Sequence, residues 1–288
     1  MRLDKSDQLI EIIYTSDSQL RRPGQLLRSM VQDLLASREL AWRLFVRNVN
    51  AMYRQTILGY VWAFLPPVFT AFVFVFLNSQ RILNVGATSI PYPAYALIGT
   101  VLWQTFADAL NSPLRMINQS KSFLIKINFP RESLILAGLG EVFFNFTIRL
   151  ALLLLVFYWY RLPISLGILL APVGIISLVA LGLLFGILLV PLGILYQDIE
   201  KALPLFTSIW LLLTPVVYPP PTSWPASLIS TINPVSPLLV NTREMLTKGT
   251  FAHMSGFYVV MGLTFLFLLM GWVFYRLALP HLIERMGA

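Results

Sequence analysis

Three polar residues lie at four-residue intervals in an otherwise apolar stretch of this sequence. They are Glu141, Asn145 and Arg149, and this spacing places them on one face of a helix. Ionisable groups inside an apolar helix are costly unless paired or hydrated, so they usually face neighbouring helices or water. Two interpretations stay open: an internal ion-pair ladder that fixes helix packing, or a polar stripe along the path of a substrate. Asp108 is expected at the membrane interface, in contact with solvent.

Side chains suited to covalent or metal chemistry are few. The sequence has no cysteine, and its two histidines, His253 and His281, fall on opposite predicted sides of the membrane. It contains neither a Gly-x-x-x-x-Gly-Lys-Ser/Thr phosphate loop nor a His-Glu-x-x-His zinc motif. We therefore expect no catalytic residue, metal or cofactor in this chain, and any ATP and Mg²⁺ would be bound by a separate partner chain.

The elements that position these residues follow from composition. The chain is 57% hydrophobic and only 12% charged, whereas soluble domains are roughly 45–50% apolar and about 25% charged. This predicts an all-α polytopic membrane protein with about six spans, each needing ~20 mainly apolar residues. The predicted spans are 57–77, 93–110, 133–158, 172–195, 202–218 and 255–277. They form a single transmembrane domain over 31–280, between a cytoplasmic arm (1–30) and a cytoplasmic tail (281–288).

The distribution of basic residues predicts the orientation. With the amino terminus inside, sixteen of the 21 Lys and Arg residues fall in cytoplasmic segments, four fall outside and Arg149 falls within the third span. Cytoplasmic loops are enriched in Lys and Arg, so both termini are predicted to be cytoplasmic. Orientation and anionic lipid then explain the net charge of +8, and we expect no nucleic-acid partner.

Residues 31–55 combine apolar positions at helical spacing with basic residues on the other faces. Trp42 and Phe45 belong to the apolar set, and Arg43 and Arg47 to the basic set. This pattern favours an amphipathic helix that lies in the membrane interface, and the alternative is an ordinary surface helix.

The first span is rich in aromatic residues. Phe69, Phe72 and Phe76 share one helix face, and residues 65–67 (Leu-Pro-Pro) are expected to kink the span. Tyr60 and Trp62 lie near the inner interface, where aromatic belts are common. Aromatic side chains in a span usually pack in the core or face lipid, but sugar rings also stack on them. Both interpretations stay open.

Residues 218–249 are predicted to lie outside, and this long stretch is rich in proline. Residues 226–231 and 238–248 are each expected to form a short helix. Because non-helical backbone at membrane depth must be shielded from lipid, this pattern favours a re-entrant helix pair. The alternative is a surface loop that lies on the membrane.

Four stretches resemble the permease subunits of type-2 ABC exporters, and the nearest subgroup exports O-antigen, capsular polysaccharide and teichoic acid. They are residues 52–67, where an interfacial helix turns into a span, residues 126–132 (Lys-Ile-Asn-Phe-Pro-Arg-Glu), residues 196–199 (Tyr-Gln-Asp-Ile) and residues 233–237 (Asn-Pro-Val-Ser-Pro) followed by Arg243. The third stretch departs from the family, which more often has Arg-Asp at the positions of Gln197 and Asp198. The resemblance covers about residues 35–280.

The resemblance implies a homodimer that forms a channel at its interface. It also implies two ATP-binding subunits, a lipid-linked polysaccharide as cargo, and the bacterial inner membrane as location. The basic loop 115–131 corresponds to the family's coupling helix, although by residues alone it is equally an interfacial loop. The residues expected to dock on the ATP-binding subunit are Lys121, Phe123, Leu124, Lys126, Ile127 and Pro130.

Polysaccharide export would also need residues for entry, translocation and gating. The residues expected to admit substrate at the inner interface are Arg47, Tyr53, Arg54, Tyr60 and Trp62. Those expected along the translocation path are Phe69, Phe72, Phe76, Glu141, Asn145 and Arg149. Those expected at an outer gate are Tyr218, Trp224, Pro234 and Arg243.

Two other functions are weighed against polysaccharide export. One keeps the transporter and changes the cargo to a drug or small lipid, and the aromatic first span argues mildly against it. The other is a polyprenyl-linked membrane glycosyltransferase, which would need clustered acids or metal ligands. Glu141, Asp198 and Glu200 do not converge by any spacing in the sequence.

Overall fold

A computed structural model describes residues 23–54, 56–83, 85–126, 129–249 and 254–287, and within these ranges the regular structure is helical. The described residues form eleven α-helices: α1 Pro23–Ala36, α2 Arg38–Arg54, α3 Leu65–Ser79, α4 Tyr92–Gln119, α5 Lys121–Lys126, α6 Glu132–Trp159, α7 Ala171–Leu195, α8 Asp198–Leu213, α9 Ala226–Ile232, α10 Val235–Thr247 and α11 Met254–Gly287. Two short 3₁₀ helices lie at Gly59–Ala63 and Leu166–Leu169.

Among the described residues, three helices are long and apolar enough to cross a membrane, so the chain is a multi-pass membrane protein. They are Glu132–Trp159, Ala171–Leu195 and Met254–Leu279. The remaining three predicted spans are also helical, but α3 has 15 residues and α8 has 16, and α4 carries several polar side chains. The count of six spans stays a prediction.

The first predicted span begins differently from the expectation. Pro66 and Pro67 do not kink a continuous helix but lie in the first turn of α3, where a missing N–H costs no helical hydrogen bond. The chain reaches them through the 3₁₀ turn, which starts at Gly59 with a positive φ of 50°. The predicted interfacial helix is likewise divided at Ser37 into α1 and α2, and helix starts at Pro23, inside the predicted arm.

The core is built around α4. This helix buries residues on all sides and packs against α3, α6 and α7. Gly182 and Gly186 let α7 approach closely, because a Cβ at either position would meet the backbone oxygen of Phe106 or Leu110. Small residues at helix contacts are how membrane helices pack tightly. In the apolar stretch of α7, 67% is buried, against 17% in α11, so α11 lies at the periphery and α7 at the centre.

A second apolar cluster lies at the end of the bundle that holds α5. Met116 and Ile117 of α4 meet Leu124 of α5, Leu134 of α6 and Tyr275 of α11 there. The short helix α5 is therefore seated by one buried side chain on the same core that holds the spanning helices.

Candidate functional site

A buried polar cluster joins α2, α4 and α6, and we call it the inner junction. Its members are Asn48, Tyr53, Asp108, Arg115, Glu141, Asn145 and Arg149. The three polar residues of α6 do share one face, and that face is covered by helices rather than open to water: Glu141 is 2% exposed and Arg149 is 3% exposed.

Two ion pairs hold α4 against α6. Arg115 donates to Glu141 Oε2 at 2.6 Å, and Arg149 lies 2.7 Å from Asp108 Oδ2. Arg149 also donates through Nε to the backbone oxygen of Ala63 at 3.0 Å, which fixes the 3₁₀ turn before α3. The internal-ladder interpretation thus describes the geometry, and the expectation that Asp108 is solvated is wrong because Arg149 binds it inside the bundle.

The interfacial helix α2 is attached to the same ladder by two hydrogen bonds. Asn48 donates to Glu141 Oε1 at 2.9 Å, and the Tyr53 hydroxyl donates to Asn145 Oδ1 at 2.7 Å. Burial raises the pKa of Tyr53 above its usual value, because a buried phenolate loses hydration, so the hydroxyl keeps the proton that it donates. The residues that bind α2 are thus the same ones that were predicted to line a path.

Sequence reasoning found the α6 half of this ladder and missed the α4 half. Asp108 and Arg115 are seven residues apart, and Glu141 and Arg149 are eight apart, with the acidic residue first in both pairs. Two antiparallel helices bring such pairs into register, because both spacings correspond to about two helical turns. This complementary spacing was the available signal.

The predicted inner access residues divide into two groups. Tyr53 and Tyr60 lie together, with ring centroids 4.8 Å apart, and Tyr60 is exposed. Arg54 and Trp62 are also exposed. Arg47, also on α2, contacts a different element: its guanidinium carbon lies 5.5 Å from the centre of the Phe123 ring on α5. The geometry therefore joins one access residue to the predicted docking helix.

The predicted docking residues fall on different sides of α5. Leu124 is buried in the second apolar cluster, whereas Phe123 is 45% exposed. Contact with water is unfavourable for an apolar ring of this size. Pro130 is half-buried, and its backbone oxygen accepts a hydrogen bond from the Ser133 hydroxyl at 2.7 Å. Lys121 is half-buried. Ile127 lies outside the described residues, as does the side chain of Lys126.

The aromatic residues of α3 share a face that is open. Phe69, Phe72 and Phe76 are exposed by 50% or more, and the rings of Phe72 and Phe76 stack at 6.4 Å. A face of this kind contacts lipid, a second protein chain or a ring-shaped substrate.

A second buried arginine organises the region after α8. Residues 214–218 leave the helix, and Arg243 of α10 donates to the backbone oxygens of Val216 at 2.7 Å and Pro215 at 2.8 Å. The Tyr95 ring of α4 lies 3.7 Å from its guanidinium carbon. We call residues 214–218 the outer segment, and Arg243 supplies the donors that its freed carbonyls need.

Neighbouring side chains complete the attachment of the outer segment. Asn233 donates to the Thr214 hydroxyl at 2.8 Å and accepts from the Trp210 indole at 3.2 Å. Tyr218, a predicted gate residue, donates to the backbone oxygen of Leu212 at 2.8 Å, and its own carbonyl accepts from the Tyr95 hydroxyl. The predicted gate residue Arg243 is thus the centre of this network.

The other two predicted gate residues lie apart from that centre. Pro234 directly precedes α10, whereas Trp224 is 81% exposed and stands away from the buried contacts. The two short helices expected here are present as Ala226–Ile232 and Val235–Thr247. Their insertion into the membrane as a re-entrant pair stays a prediction.

Metal chemistry finds no support in the described part of the chain, where no group of three or more His, Cys, Asp or Glu residues is placed to hold an ion. The acidic residues of the inner junction are instead used in ion pairs with arginine.

Comparison with known proteins gives consistent matches. Residues 39–247 match the protein family described as ABC-2 type transporter. The chain is 26% identical over 220 residues to the O-antigen export system permease protein RfbA of Myxococcus xanthus, which covers 75% of this chain and 83% of that protein. It is 23% identical over 215 residues to a protein of the same name from Klebsiella pneumoniae, covering 71% and 78%. The family match includes the inner junction, α5 and the outer segment.

Proposed function

Because the chain belongs to the ABC-2 type transporter family, we propose that it is the transmembrane permease subunit of an ATP-driven exporter of lipid-linked, O-antigen-like polysaccharide. The observation that carries the proposal is the family match over residues 39–247, together with O-antigen export permeases that align with most of the chain. The proposed location is the bacterial inner membrane, with both termini cytoplasmic.

ATP is proposed to be bound by a partner. The sequence has no phosphate-binding loop, so two separate ATP-binding subunits would supply hydrolysis and Mg²⁺ binding. The exposed ring of Phe123 supports a docking role for α5, because an apolar anchor beside a basic helix fits a groove of a soluble partner. Leu124 supports the same role from the other side, since it ties α5 to the core of the bundle.

The polymer is proposed to cross at the interface of a homodimer. The exposed aromatic face of α3 supports this arrangement, because a second copy would face it across a channel in which sugar rings stack on Phe69, Phe72 and Phe76. Substrate would come in near Arg54, Tyr60 and Trp62, which are exposed beside the inner junction. The outer segment would open last, and the work is conformational gating rather than covalent chemistry.

The cargo is tested by stimulation of ATP hydrolysis. The chain is co-expressed with a candidate ATP-binding subunit, and the complex is reconstituted in lipid nanodiscs. A polyprenyl-linked polysaccharide should raise the hydrolysis rate, whereas the same polyprenyl phosphate without sugar should not. Stimulation by a hydrophobic drug or small lipid alone would instead support the drug or small-lipid exporter.

A cellular experiment separates export from synthesis. Cells that lack the chain should lose surface polysaccharide and accumulate the lipid-linked polymer on the cytoplasmic side. A membrane glycosyltransferase predicts the opposite, since its loss would remove the polymer itself. Loss of the polymer, with none accumulating, would therefore contradict the transport proposal.

A further inference from the structure

Arg276, near the cytoplasmic end of α11, bridges two other helices. Its guanidinium lies 2.6 Å from Asp33 Oδ2 of α1 and 3.1 Å from Glu132 Oε1 at the start of α6. It also donates to the Ser29 hydroxyl of α1 at 3.3 Å. The Arg276 side chain is only 10% exposed and that of Glu132 only 5%. These are the contacts of a buried clamp, not of a surface ion pair, and we call Asp33, Glu132 and Arg276 the clamp.

The clamp lies beside the connection that follows α5. Glu132 is the first residue of α6, and the preceding residue, Arg131, accepts a hydrogen bond through its backbone oxygen from the Tyr275 hydroxyl at 3.3 Å. Tyr275 is 1% exposed and belongs to the same apolar cluster as Leu124 of α5. The end of α11 therefore holds both the seat of α5 and the start of α6.

The other end of the clamp leads to α2. Hydrogen bonding continues across the break between α1 and α2, because Ser37 N–H donates to the backbone oxygen of Asp33 at 2.8 Å and Ala41 N–H donates to the backbone oxygen of Ser37 at 2.8 Å. The Ser37 hydroxyl also donates to the backbone oxygen of Asp33 at 2.6 Å. Asp33 thus sits where α1 is joined to the helix that carries Tyr53 and Arg54.

A second contact closes a loop between the same elements. Arg47 of α2 stands over the exposed ring of Phe123 on α5. Helix α2 and helix α5 are then linked directly through this pair, and indirectly through α1, the clamp and the apolar cluster that contains Leu124. Two separate links restrict the rotation of α2 relative to α5 more than a single contact would, so we expect the two helices to move together.

We propose that Arg276 is a positioning residue that, through Asp33 and Glu132, makes the docking helix α5 and the α1–α2 helices move together. This rests on the proposed function, and adds that ATP-driven movement of α5 reaches the place of substrate access through the adjoining ends of α6 and α11. Arginine suits the task since its planar fork pairs with two carboxylates at once, which a lysine ammonium does less well.

The rigidity of the link is tested by a distance measurement on the isolated full chain. The sequence has no cysteine, so spin labels are placed at Arg28→Cys on α1 and Ser122→Cys on α5, both exposed positions. A single narrow distance distribution is expected. Asp33→Asn and Arg276→Gln should each broaden it, whereas Arg43→Gln, which breaks the exposed Arg43–Glu39 pair on α2, should leave it narrow.

Asp33→Asn guards against a trivial folding effect, because it leaves the buried Arg276–Glu132 pair in place. The thermal unfolding temperature is measured on every labelled variant. Distance distributions are compared only among variants whose unfolding temperature equals that of the parent chain. A distribution that stays narrow in Asp33→Asn overturns the clamp.

Transmission is tested in the complex with the ATP-binding subunit. Asp33→Asn should bind the partner and keep basal hydrolysis, but lose stimulation by lipid-linked polysaccharide by roughly fivefold or more, as a coupling between sites would. Unchanged stimulation overturns the proposal even if the distance distribution broadens. Failure of any ATP-binding subunit to bind the parent chain would instead contradict the proposed function, and the distance measurement would still decide the clamp.

Discussion

The inner junction and the outer segment each bury an arginine, but the two arginines have different kinds of partner. Arg149 pairs with a carboxylate, Asp108, on a neighbouring helix. Arg243 donates to two consecutive backbone oxygens of a non-helical segment and stands against the Tyr95 ring. The first contact joins two regular helices, and the second supplies donors to a backbone that has left the helix.

This difference indicates which region can move. Breaking an ion pair between packed helices leaves a buried charge unpaired, which costs much free energy. The helices of the inner junction should therefore stay together. The outer segment is held by hydrogen bonds to its backbone oxygens and hydroxyl groups, which carry no charge, and water could replace these bonds once the segment moves outward. We therefore expect the inner junction to hold the bundle together and the outer segment to open at lower cost.

The largest effect is expected from Arg149→Met. Asp108, whose side chain is 18% exposed, would keep Gln104 as its remaining partner, and breaking a largely buried pair costs about 3–5 kcal/mol. The measurement is thermal or denaturant unfolding of the purified chain in detergent or nanodiscs. Arg43→Met, which removes an exposed ion pair, is the control and should cost about 0–1 kcal/mol.

A double variant sharpens this prediction. Arg149→Met combined with Asp108→Leu removes both charges and should recover much of the lost stability, since replacing a whole buried pair is often neutral. No recovery would mean that Arg149 acts through its contact with Ala63 rather than through the ion pair.

Arg243→Met is expected to act locally. It removes the two hydrogen bonds to the backbone oxygens of Val216 and Pro215, and the net cost should stay below the value of about 3–5 kcal/mol expected for Arg149→Met, because water can reach these oxygens once the segment moves. Hydrogen exchange should speed up in the outer segment while amides of α6 keep their protection. Lys248→Met, at an exposed position of the same region, is the control. Equal loss of protection in α6 would contradict the proposed independence of the two regions.

Gly99→Ala should displace the outer segment by sterics alone. A Cβ at this position of α4 would overlap the backbone oxygen of Val216, and overpacking of this kind typically costs about 1–3 kcal/mol. Gly262→Ala is the matched control, because nothing lies within 4 Å of a Cβ there. Both are read out by the same exchange experiment, and a silent Gly99→Ala would mean that the segment already moves freely.

Tyr53→Phe is the smallest change. It removes one hydrogen bond to Asn145 and should cost about 1 kcal/mol. Tyr60→Phe, at an exposed hydroxyl, should cost less. Equal unfolding midpoints for the two variants would contradict the attachment of α2 through Tyr53.

The sequence predicted the elements better than the contacts between them. Helical periodicity located the face shared by Glu141, Asn145 and Arg149, because that face depends only on residues of one helix. The partners Asp108 and Arg115 lie on another helix, and their pairing depends on how the two helices are aligned. Periodicity alone does not fix that alignment, so Asp108 was placed at the membrane interface although it lies inside the bundle.

The outer segment marks a second limit. Proline content predicted an irregular region, and the resemblance singled out Arg243, but the acceptors of Arg243 are backbone oxygens. Backbone acceptors have no signature in a sequence, because every residue carries one. The same holds for Pro66 and Pro67, whose effect depended on whether helix α3 had already begun before them.

The central claim is that this chain is a permease driven by an ATP-binding subunit that docks on α5. The most direct test is co-purification and ATP hydrolysis of the reconstituted complex with Phe123→Asp, and with Phe123→Leu as the control that keeps an apolar anchor. We predict a stable, active complex for the parent chain and for Phe123→Leu, and loss of both binding and hydrolysis for Phe123→Asp. Unchanged binding and hydrolysis in Phe123→Asp would contradict docking through α5.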